Sequence, residues 1–378
     1  MKKIIVHIDL NTFFVQCEVL QNSQLKGKPV AVGHDGPRGV ISTSSYEARK
    51  LGVFSGMPVA SAKNKCKDLI LVPCNFSLYS HYSKEFFRFL KNRYPILEQA
   101  SVDECYIDMT KEADRNHLYE YLFDLQMELY RVTNLKCSIG CSFNRFLAKM
   151  GSDYKKPLGI TIFTPENFRE KIYPLSIEKM YGIGKKTAPK LRKLNIESIG
   201  DLARCVDPEV KRVLGSMFDY LKDECNGIAN DIVDPQTYDP KSISSERTFL
   251  HDNNNYDDIL QMIHNCVDDV VASLEKYQLE CLSVGVKIRT PDFVTKSRRL
   301  TLREPSCQKD DIYLSAVKAF EELYHGQPLR LIGVSLERVQ ERRRMHKEKE
   351  KEKFLNEINS QLDYGGNIFF LKGKEKES

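Results

Sequence analysis

Short apolar runs alternate with amphipathic stretches in the first part of the chain, up to about residue 165. The run over residues 3–8 predicts a strand, and residues 11–18 predict a helix that is capped near Asn11. Apolar residues recur at helical spacing over 79–90 and over 118–129, which predicts two amphipathic helices. Further short strands are predicted at 30–32, 40–43 and 137–140. This alternation predicts an α+β fold with a ferredoxin-like sheet backed by helices.

The later part of the chain has a different texture. From residue 173 onward the pattern predicts short helices, and lysines and arginines are dense over 179–212. Residues 231–240 are polar and contain two prolines, which predicts a linker. Residues 341–353 alternate charges with almost nothing to bury, which predicts a solvated helix or a disordered tail. Between the linker and the tail, a small α/β module is predicted from helices at 259–274 and 316–323 and strands at 284–288, 300–302 and 331–336.

Composition narrows the class of protein. A hydrophobic content of 41% and a charged content of 29% are ordinary for a globular protein, and 378 residues allow roughly two to four domains. The net charge of +5 is compatible with a nucleic-acid partner but is weak evidence for one. The eleven cysteines are scattered, and the apolar run that follows Lys3 ends at Asp9, too early for a signal peptide. With no run of membrane-span length, we expect a cytoplasmic protein.

Two acidic clusters carry the strongest chemical signal. Asp9 ends the first apolar run, and Asp103 and Glu104 precede a second strand-like run. Carboxylates at neighbouring strand ends would repel one another unless a divalent cation neutralised them, and hard oxygen ligands suit Mg²⁺. A pair of such ions serves phosphoryl transfer. The alternative is that these acids are ordinary turn or cap residues, and the pattern alone leaves both interpretations open.

A second motif lies around residue 45. Thr43 and two serines precede a helix on which Tyr46 and Arg49 lie three residues apart, on one face. Hydroxyls, a phenol and a guanidinium in this arrangement could hold a triphosphate. The alternative is a helix N-cap with an exposed polar face.

A third motif is the glycine turn Gly182-Ile183-Gly184, followed by Lys185 and Lys186. A glycine turn between two short helices lets backbone N–H groups approach a phosphate while lysines supply charge. The pattern is that of a helix-hairpin-helix, which binds DNA without reading its sequence. A plain turn is the alternative, because many turns contain two glycines.

Basic residues also crowd the last module. A phosphate-tracking surface and a charged outer sheet face explain these basic residues equally well. The basic residues are Lys287, Arg289, Lys296, Arg298, Arg299 and Arg303.

Several motifs, in this order along the chain, resemble the Y-family of translesion DNA polymerases, most of all the bacterial DNA polymerase IV type. The resemblance covers about residues 3–340. It rests on the segments DLNTFF at 9–14, LKGKPVAV at 25–32, YEARK at 46–50, SVDE at 101–104, FLAK at 146–149, KKPLGI at 155–160 and the 182–184 turn.

That resemblance implies template-directed DNA synthesis of low fidelity and without proofreading, in DNA damage tolerance and repair. It implies that Asp9, Asp103 and Glu104 hold two Mg²⁺ ions, with the Leu10 carbonyl as a further ligand and Mn²⁺ as a substitute metal. The implied partners are primer–template DNA and dNTPs, for an enzyme expected to be a monomer and to need no membrane.

The resemblance also implies nucleotide and DNA contacts. Phe14 would be the steric gate, whose ring lies where a ribose 2′-hydroxyl would go. The incoming nucleotide would be bound by Phe13, Phe14, Thr43, Tyr46, Arg49 and Lys156. DNA would be bound by Gly182, Gly184, Lys185, Lys186, Arg289, Arg298 and Arg299.

A right-hand polymerase architecture follows from the same resemblance, with a ferredoxin-like palm, small fingers, a helix-hairpin-helix thumb and an α/β little finger. The implied boundaries are a palm at 1–10 and 76–165, fingers at 11–75, a thumb at 166–232, a linker at 233–240, a little finger at 241–340 and a charged tail at 341–378.

Two positions and one segment depart from the polymerase IV pattern. Asn11 replaces the usual Asp and Tyr181 replaces the usual Pro, and both changes look more like the polymerase V catalytic subunit. In the tail, residues 361–370 are a poor match to a clamp-binding motif, so the sequence leaves open whether a sliding clamp is a partner.

Two other functions compete with polymerisation. A nucleotide cyclase also uses paired strand-end acids, but it has no use for the hairpin or the basic last module. A DNA-binding accessory protein with a decayed active site would not need the intact acids and Lys156.

Overall fold

The computed structural model describes residues 2–236 and 239–342. The predicted tail, including the candidate clamp-binding segment at 361–370, lies outside these residues apart from its first two positions. The chain divides into two compact units between residues 236 and 237, within the predicted linker at 233–240. Within the described ranges, no helix combines the length and the apolar character that a membrane span requires.

The first unit contains eight strands and eleven α-helices in its described residues. Its strands are β1 Ile5–Leu10, β2 Val30–Gly33, β3 Ile41–Ser44, β4 Ile70–Val72, β5 Leu97–Gln99, β6 Glu104–Asp108, β7 Cys137–Ser142 and β8 Ile160–Ile162. Its helices are α1 Phe13–Gln21, α2 Tyr46–Lys50, α3 Val59–Lys65, α4 Phe76–Lys91, α5 Leu118–Thr133, α6 Arg145–Tyr154, α7 Phe168–Ile172, α8 Ala188–Arg192, α9 Ile199–Arg204, α10 Pro208–Leu214 and α11 Met217–Cys225.

A five-stranded sheet positions the acidic residues, with the strand order β5-β6-β1-β7-β8. β1 lies in the middle and pairs antiparallel with β6 and β7. Because side chains alternate along a strand, one face of β1 joins the core formed with α4 and α5. The other face carries His7 and Asp9 toward α6, as the contacts below show. The predicted sheet with helices on it is confirmed.

Helix α6 lies directly on this second face of the sheet. A Cβ on Gly140 of β7 would come within 1.9 Å of the Ala148 carbonyl oxygen, so only glycine permits this approach. Asn144 caps the helix by accepting a hydrogen bond of 2.8 Å from the Leu147 N–H. The close packing brings the polar residues of α6 over β1.

Two smaller layers complete the first unit. The strands β3-β2-β4 form a three-stranded sheet that packs on α2 and α3 around a small core of its own. The helices α7 to α11 share a separate core with the apolar face of α6.

The second unit is a four-stranded antiparallel sheet covered on one face by two helices. The sheet order is β11-β10-β12-β9. The alternating residues Val284, Val286 and Ile288 of β10 are buried against the helices, and the opposite face is open. Its elements are β9 Ser242–Asn253, α12 Tyr256–Tyr277, β10 Leu279–Arg289, β11 Thr295–Ser306, α13 Lys309–Glu321 and β12 Leu329–Glu341.

One local expectation is wrong. Asn11 does not cap α1, because Thr12 is the N-cap residue and has no side-chain cap. Asn11 is instead buried, where it donates to Ser138 Oγ and accepts from the Leu158 N–H. Within the predicted linker, Val233 packs in a buried cluster beside β1.

Candidate active site

The three predicted acids meet at one edge of the five-stranded sheet. Asp9 of β1 lies directly opposite Glu104 of β6 in the antiparallel register. The Leu10 N–H donates a 3.0 Å hydrogen bond to the Asp103 carbonyl, so the residue before Glu104 also lies against β1. The Asp103 carboxylate accepts a 2.6 Å hydrogen bond from Ser101. Antiparallel pairing therefore brings two sequence-distant clusters together.

Two lysines lie among these carboxylates. The Lys149 ammonium is 3.0 Å from Asp9 Oδ2 and 2.7 Å from Glu104 Oε2. The Lys156 ammonium is 2.6 Å from Asp9 Oδ1. Asp153, one turn along α6 from Lys149, contacts both lysines, at 3.5 Å and 2.8 Å. The site is thus a network of alternating charges.

Burial and pairing act in opposite directions on the acids. Burial opposes ionisation of Asp9, but Lys156 and Lys149 outweigh it and hold the pKa of its carboxyl below the usual value. Burial raises the pKa of Asp103, and repulsion by Asp9 adds to this rise. The hydrogen bond from Ser101 acts in the opposite direction and lowers the pKa. An added cation would offset both the burial and the repulsion that oppose the ionised form of Asp103.

His7 lies beneath the cluster and is fully buried. Its Nδ1 is 2.9 Å from Ser152 Oγ, and its Nε2 is 3.6 Å from Glu104 Oε2. Burial, aided by the positive charge of Lys149, lowers the pKa of His7 well below its usual value. The ring therefore supports the cluster as a neutral group.

The donor set suits a divalent metal ion. Asp9, Asp103 and Glu104 offer carboxylate oxygens, which are the ligands that Mg²⁺ prefers. Among residues 2–236 and 239–342, no three metal-ligating side chains are close enough together to hold one ion in the present arrangement. Asp9 and Glu104 point at lysine ammonium groups instead, which stand in for the charge of a cation.

The candidate triphosphate residues lie on β3 and α2. Ser45 caps α2 by accepting from the Ala48 N–H, so part of this motif is a helix cap. The Arg49 guanidinium lies over the Tyr46 ring, 5.2 Å from its centroid, and 3.5 Å from Thr43 Oγ1. The Tyr46 hydroxyl is buried and has no hydrogen-bond partner among the described residues. Such an unpaired buried group is costly, which favours a partner supplied by a ligand.

The two phenylalanines of α1 have different surroundings. Phe13 is 2% exposed and belongs to the core, so only its backbone could contact a nucleotide. Phe14 is partly exposed and stacks on Tyr79, with ring centroids 4.1 Å apart and an interplanar angle of 10°. The Tyr79 hydroxyl donates a 2.6 Å hydrogen bond to Glu18, which fixes the ring beneath Phe14.

The predicted hairpin forms in the helical part of the first unit. The 3₁₀ turn Ile177–Lys179 and helix α8 flank it, and Ile183 anchors it in the core. Gly182 has φ of +94°, a left-handed conformation that favours glycine. Lys185 and Lys186 are exposed, so their charges are available to a partner.

The three predicted arginines of the second unit do not share one face. Arg299 lies opposite Gly285 on the open face of the sheet, and its side chain pairs with Glu337. Arg289 has the same parity as Gly285 on β10 and bonds Thr295. Arg298 has the opposite parity and pairs with Glu322, 2.5 Å away. Strand alternation separates neighbours that the sequence places together.

Sequence reasoning missed three residues of this site. Lys149 was recognised only as part of a motif, and His7 and Asp153 were not singled out. The available signal was their spacing, since Lys149 and Asp153 lie four residues apart on one helix and His7 lies two residues before Asp9 on one strand face.

Comparison with known proteins matches most of the chain. The impB/mucB/samB family matches residues 8–153, its C-terminal domain matches 240–348, and the helix-hairpin-helix motif of the IMS family matches 165–196. DNA polymerase IV of Bacillus velezensis is 37% identical over 381 residues, covering 97% of this chain and 92% of the relative. DNA polymerase IV of Oceanobacillus iheyensis is also 37% identical, covering 100% of this chain and 93% of the relative.

Solved structures agree with these relatives. A Y-family DNA polymerase chimera of Dbh and Dpo4 aligns with a TM-score of 0.81 and 25% identity, covering 90% of this chain and 100% of that one. DinB from Sulfolobus solfataricus aligns with a TM-score of 0.61 and 25% identity, covering 88% and 98%.

Proposed function

Because the chain belongs to the impB/mucB/samB family, the Y-family of translesion DNA polymerases, we propose that its three strand-end acids carry out the nucleotidyl transfer of this family. The enzyme is a template-directed DNA polymerase of low fidelity that binds primer–template DNA and dNTPs and depends on a divalent metal. The observation that carries the assignment of the site is the register that places Asp9 opposite Glu104, with Asp103 against Leu10.

Asp9, Asp103 and Glu104 would hold two Mg²⁺ ions, with the Leu10 carbonyl as a further ligand and Mn²⁺ as a substitute. When bound, such ions neutralise the triphosphate and align the attacking and leaving oxygens. The protein itself supplies the pairing of β1 with β6, which keeps the backbone of the three acids together, while Asp9 and Glu104 would have to turn from the lysines to the metal ions.

Lys156, Tyr46, Arg49 and Thr43 would bind the triphosphate. Lys156 is half-buried and now pairs with Asp9, but the negative phosphates would offer it a stronger partner. The unpaired Tyr46 hydroxyl would gain a hydrogen bond at the same time. The first N–H groups of α1, including that of Phe13, have no intrahelical partners and would complete the phosphate contacts.

The polymerase subdomains are assigned to the structural layers. The palm, 1–10 and 76–165, would correspond to the five-stranded sheet, and the fingers, 11–75, to the three-stranded one. The helical part at 166–232 would be the thumb, with its hairpin at 182–186 on DNA. The second unit would contain the little finger, 241–340, after the linker at 233–240.

We further propose that the enzyme is a cytoplasmic monomer. All eleven cysteines are free, which suits a reducing compartment. One chain carries the acids, the triphosphate residues and the hairpin.

Whether the tail binds a sliding clamp is tested by adding the clamp to a primer-extension assay. Longer products in its presence would establish the contact.

Primer extension with a chelator control tests the activity and its site. Asp9→Ala, Asp103→Ala and Glu104→Ala should each abolish synthesis while DNA binding and folding persist, because losing a metal ligand costs about several kcal/mol of barrier. Asp108→Ala, at the other end of β6, is the matched control and should extend primers normally. Turnover above about a tenth of wild type in Asp103→Ala would remove that residue from the ligand set. Primer extension by wild type that a chelator abolishes also separates a polymerase from a nucleotide cyclase or an accessory protein, neither of which would extend a primer.

A further inference from the structure

Lys149 is a buried cation that joins two of the three acids. Lys149 is 8% exposed, and its ammonium lies 3.0 Å from the Asp9 carboxylate and 2.7 Å from the Glu104 carboxylate. A third carboxylate, that of Asp153, lies 3.5 Å from the same nitrogen. A buried ammonium is stable only when such partners surround it, so the lysine and the acids depend on one another.

The backbone holds this lysine in place without help from a ligand. Helix α6 lies in direct contact with β7 at Gly140, and its N-terminus is capped by Asn144. The residues on either side of Lys149 on the helix, Ala148 and Met150, are buried. The ammonium therefore stays near β1 for as long as the helix stays on the sheet.

Lys156 differs from Lys149 in this respect. It follows the end of α6, its side chain is 24% exposed against 10% for Lys149, and it would turn to a triphosphate. Its charge can leave Asp9 when substrate binds. The charge of Lys149 has no comparable alternative partner among the described residues, apart from the acids that it already contacts.

We propose that Lys149 is a resident counter-cation of the metal site. It holds Asp9 and Glu104 together when no metal is bound, and it competes with divalent ions for the same carboxylate oxygens. The inference rests on the proposed metal site. Lys149 is then a positioning residue with two linked effects: it stabilises the metal-free fold and it weakens metal binding.

The two effects follow from one thermodynamic cycle. Without the ammonium, Asp9 and Glu104 repel each other in the metal-free protein, which loses stability. A bound metal ion relieves that repulsion, so the protein without the ammonium should bind the metal more tightly. Because a ligand that binds only the folded state raises its stability, the metal should also raise the Tm of that protein by more. A lysine that merely filled space would destabilise both states equally and leave metal affinity unchanged.

Lys149→Met in the full chain tests this, because methionine keeps an unbranched side chain only one atom shorter than that of lysine and removes its charge. Without DNA or nucleotide, Mn²⁺ affinity is measured from the paramagnetic resonance signal of the free ion, and Tm is measured in EDTA and in Mn²⁺. We expect a lower Tm in EDTA, a larger rise of Tm on adding Mn²⁺, and Mn²⁺ binding about tenfold tighter than in wild type.

Two control variants keep the test specific. Lys149→Arg preserves the charge and should bind Mn²⁺ like wild type. Lys91→Gln removes an exposed lysine at the end of α4 and should change neither quantity.

Each outcome decides the question. Mn²⁺ affinity in Lys149→Met that equals or falls below that of wild type overturns the proposal. If the variant folds only with Mn²⁺ present, the proposal is supported, and failure to fold in both conditions overturns it. If wild type extends primers while Lys149→Met binds Mn²⁺ unchanged, this inference alone fails. If wild type neither binds Mn²⁺ nor makes DNA, the proposed function fails.

Discussion

Two side chains of the candidate nucleotide site differ in whether they have a partner among the described residues. Phe14 has a fixed platform in Tyr79, and the Tyr46 hydroxyl has no partner among the described residues. Asn11, which departs from the usual polymerase IV residue, is buried and ties the end of β1 to Leu158, beside Lys156. An Asp there would accept the same hydrogen bond from the Leu158 N–H but could not donate to Ser138 Oγ, whose hydroxyl would have to act as the donor instead.

Phe14→Ala should admit ribonucleotides. We propose that this ring is the steric gate and excludes a 2′-hydroxyl by its volume, so removing it should raise the use of rNTPs far more than that of dNTPs. The measurement is the ratio of kcat/KM for dNTP over rNTP. Phe76→Ala, which removes the exposed ring that meets Phe14 edge-on, is the control and should preserve discrimination. An unchanged ratio in Phe14→Ala would place the gate elsewhere.

Tyr46→Phe should raise KM for the incoming dNTP while leaving the fold unchanged. The hydroxyl loses no hydrogen bond in the free protein, so Tm should match that of wild type. In the complex the triphosphate would lose one partner, which predicts a KM about tenfold higher. Single-nucleotide insertion kinetics measure this effect. A fall in Tm with KM unchanged would show that the hydroxyl serves the fold and not the nucleotide.

At the scale of elements, the position of α6 on the sheet and the parity of β11 decide which charges act together. The tight contact at Gly140 brings Lys149 over β1. On β11, consecutive arginines face opposite ways, so Arg299 and not Arg298 belongs to the open face. The ion pair of Arg299 with Glu337 means that a phosphate must displace a carboxylate to bind there.

The hairpin element should bind DNA through phosphates. Lys185→Gln with Lys186→Gln should weaken binding equally for all duplex sequences and lower the slope of log K against log salt by about 0.9 for each lost contact. Fluorescence anisotropy over a salt series measures the slope. Lys211→Gln is the control, because that lysine is paired with Asp219 at 3.0 Å. A wild-type slope in the double variant would exclude the hairpin from the interface.

In the whole molecule, the proposed catalytic acids and the basic C-terminal module belong to different compact units. The first unit has its own hydrophobic cores, so we expect it to fold without the second. The relatives named DNA polymerase IV align along nearly the whole chain, which supports that type despite the polymerase V-like changes at Asn11 and Tyr181.

Deleting residues 241–378 should leave a core that folds and extends primers with poor processivity. The lost phosphate contacts should speed dissociation, with single-nucleotide addition surviving at high enzyme concentration. Product length from one binding event, at about 150 mM salt, is the measurement. A truncated chain that matched the full chain in product length would show that the last module does not hold DNA.

Many of the elements, the candidate acids and the family could be predicted from the sequence alone. Periodicity and turn residues are local signals, so β1, α4, α5 and the hairpin could be predicted from neighbouring positions. Motifs in a fixed order identified the polymerase, and with it Asp9, Asp103 and Glu104. The match of the family over 8–153 confirms the family, and the role of the three acids stays a prediction.

Which residues lie together at the site is visible only in the tertiary structure. Lys149 and Asp9 are 140 residues apart and meet because α6 packs on the sheet. The burial of Asn11, the opposite faces of Arg298 and Arg299 and the packing of Val233 also depend on partners far along the chain. Local patterns describe how a segment folds, but long-range pairing and register decide what it touches, and no single segment contains that information.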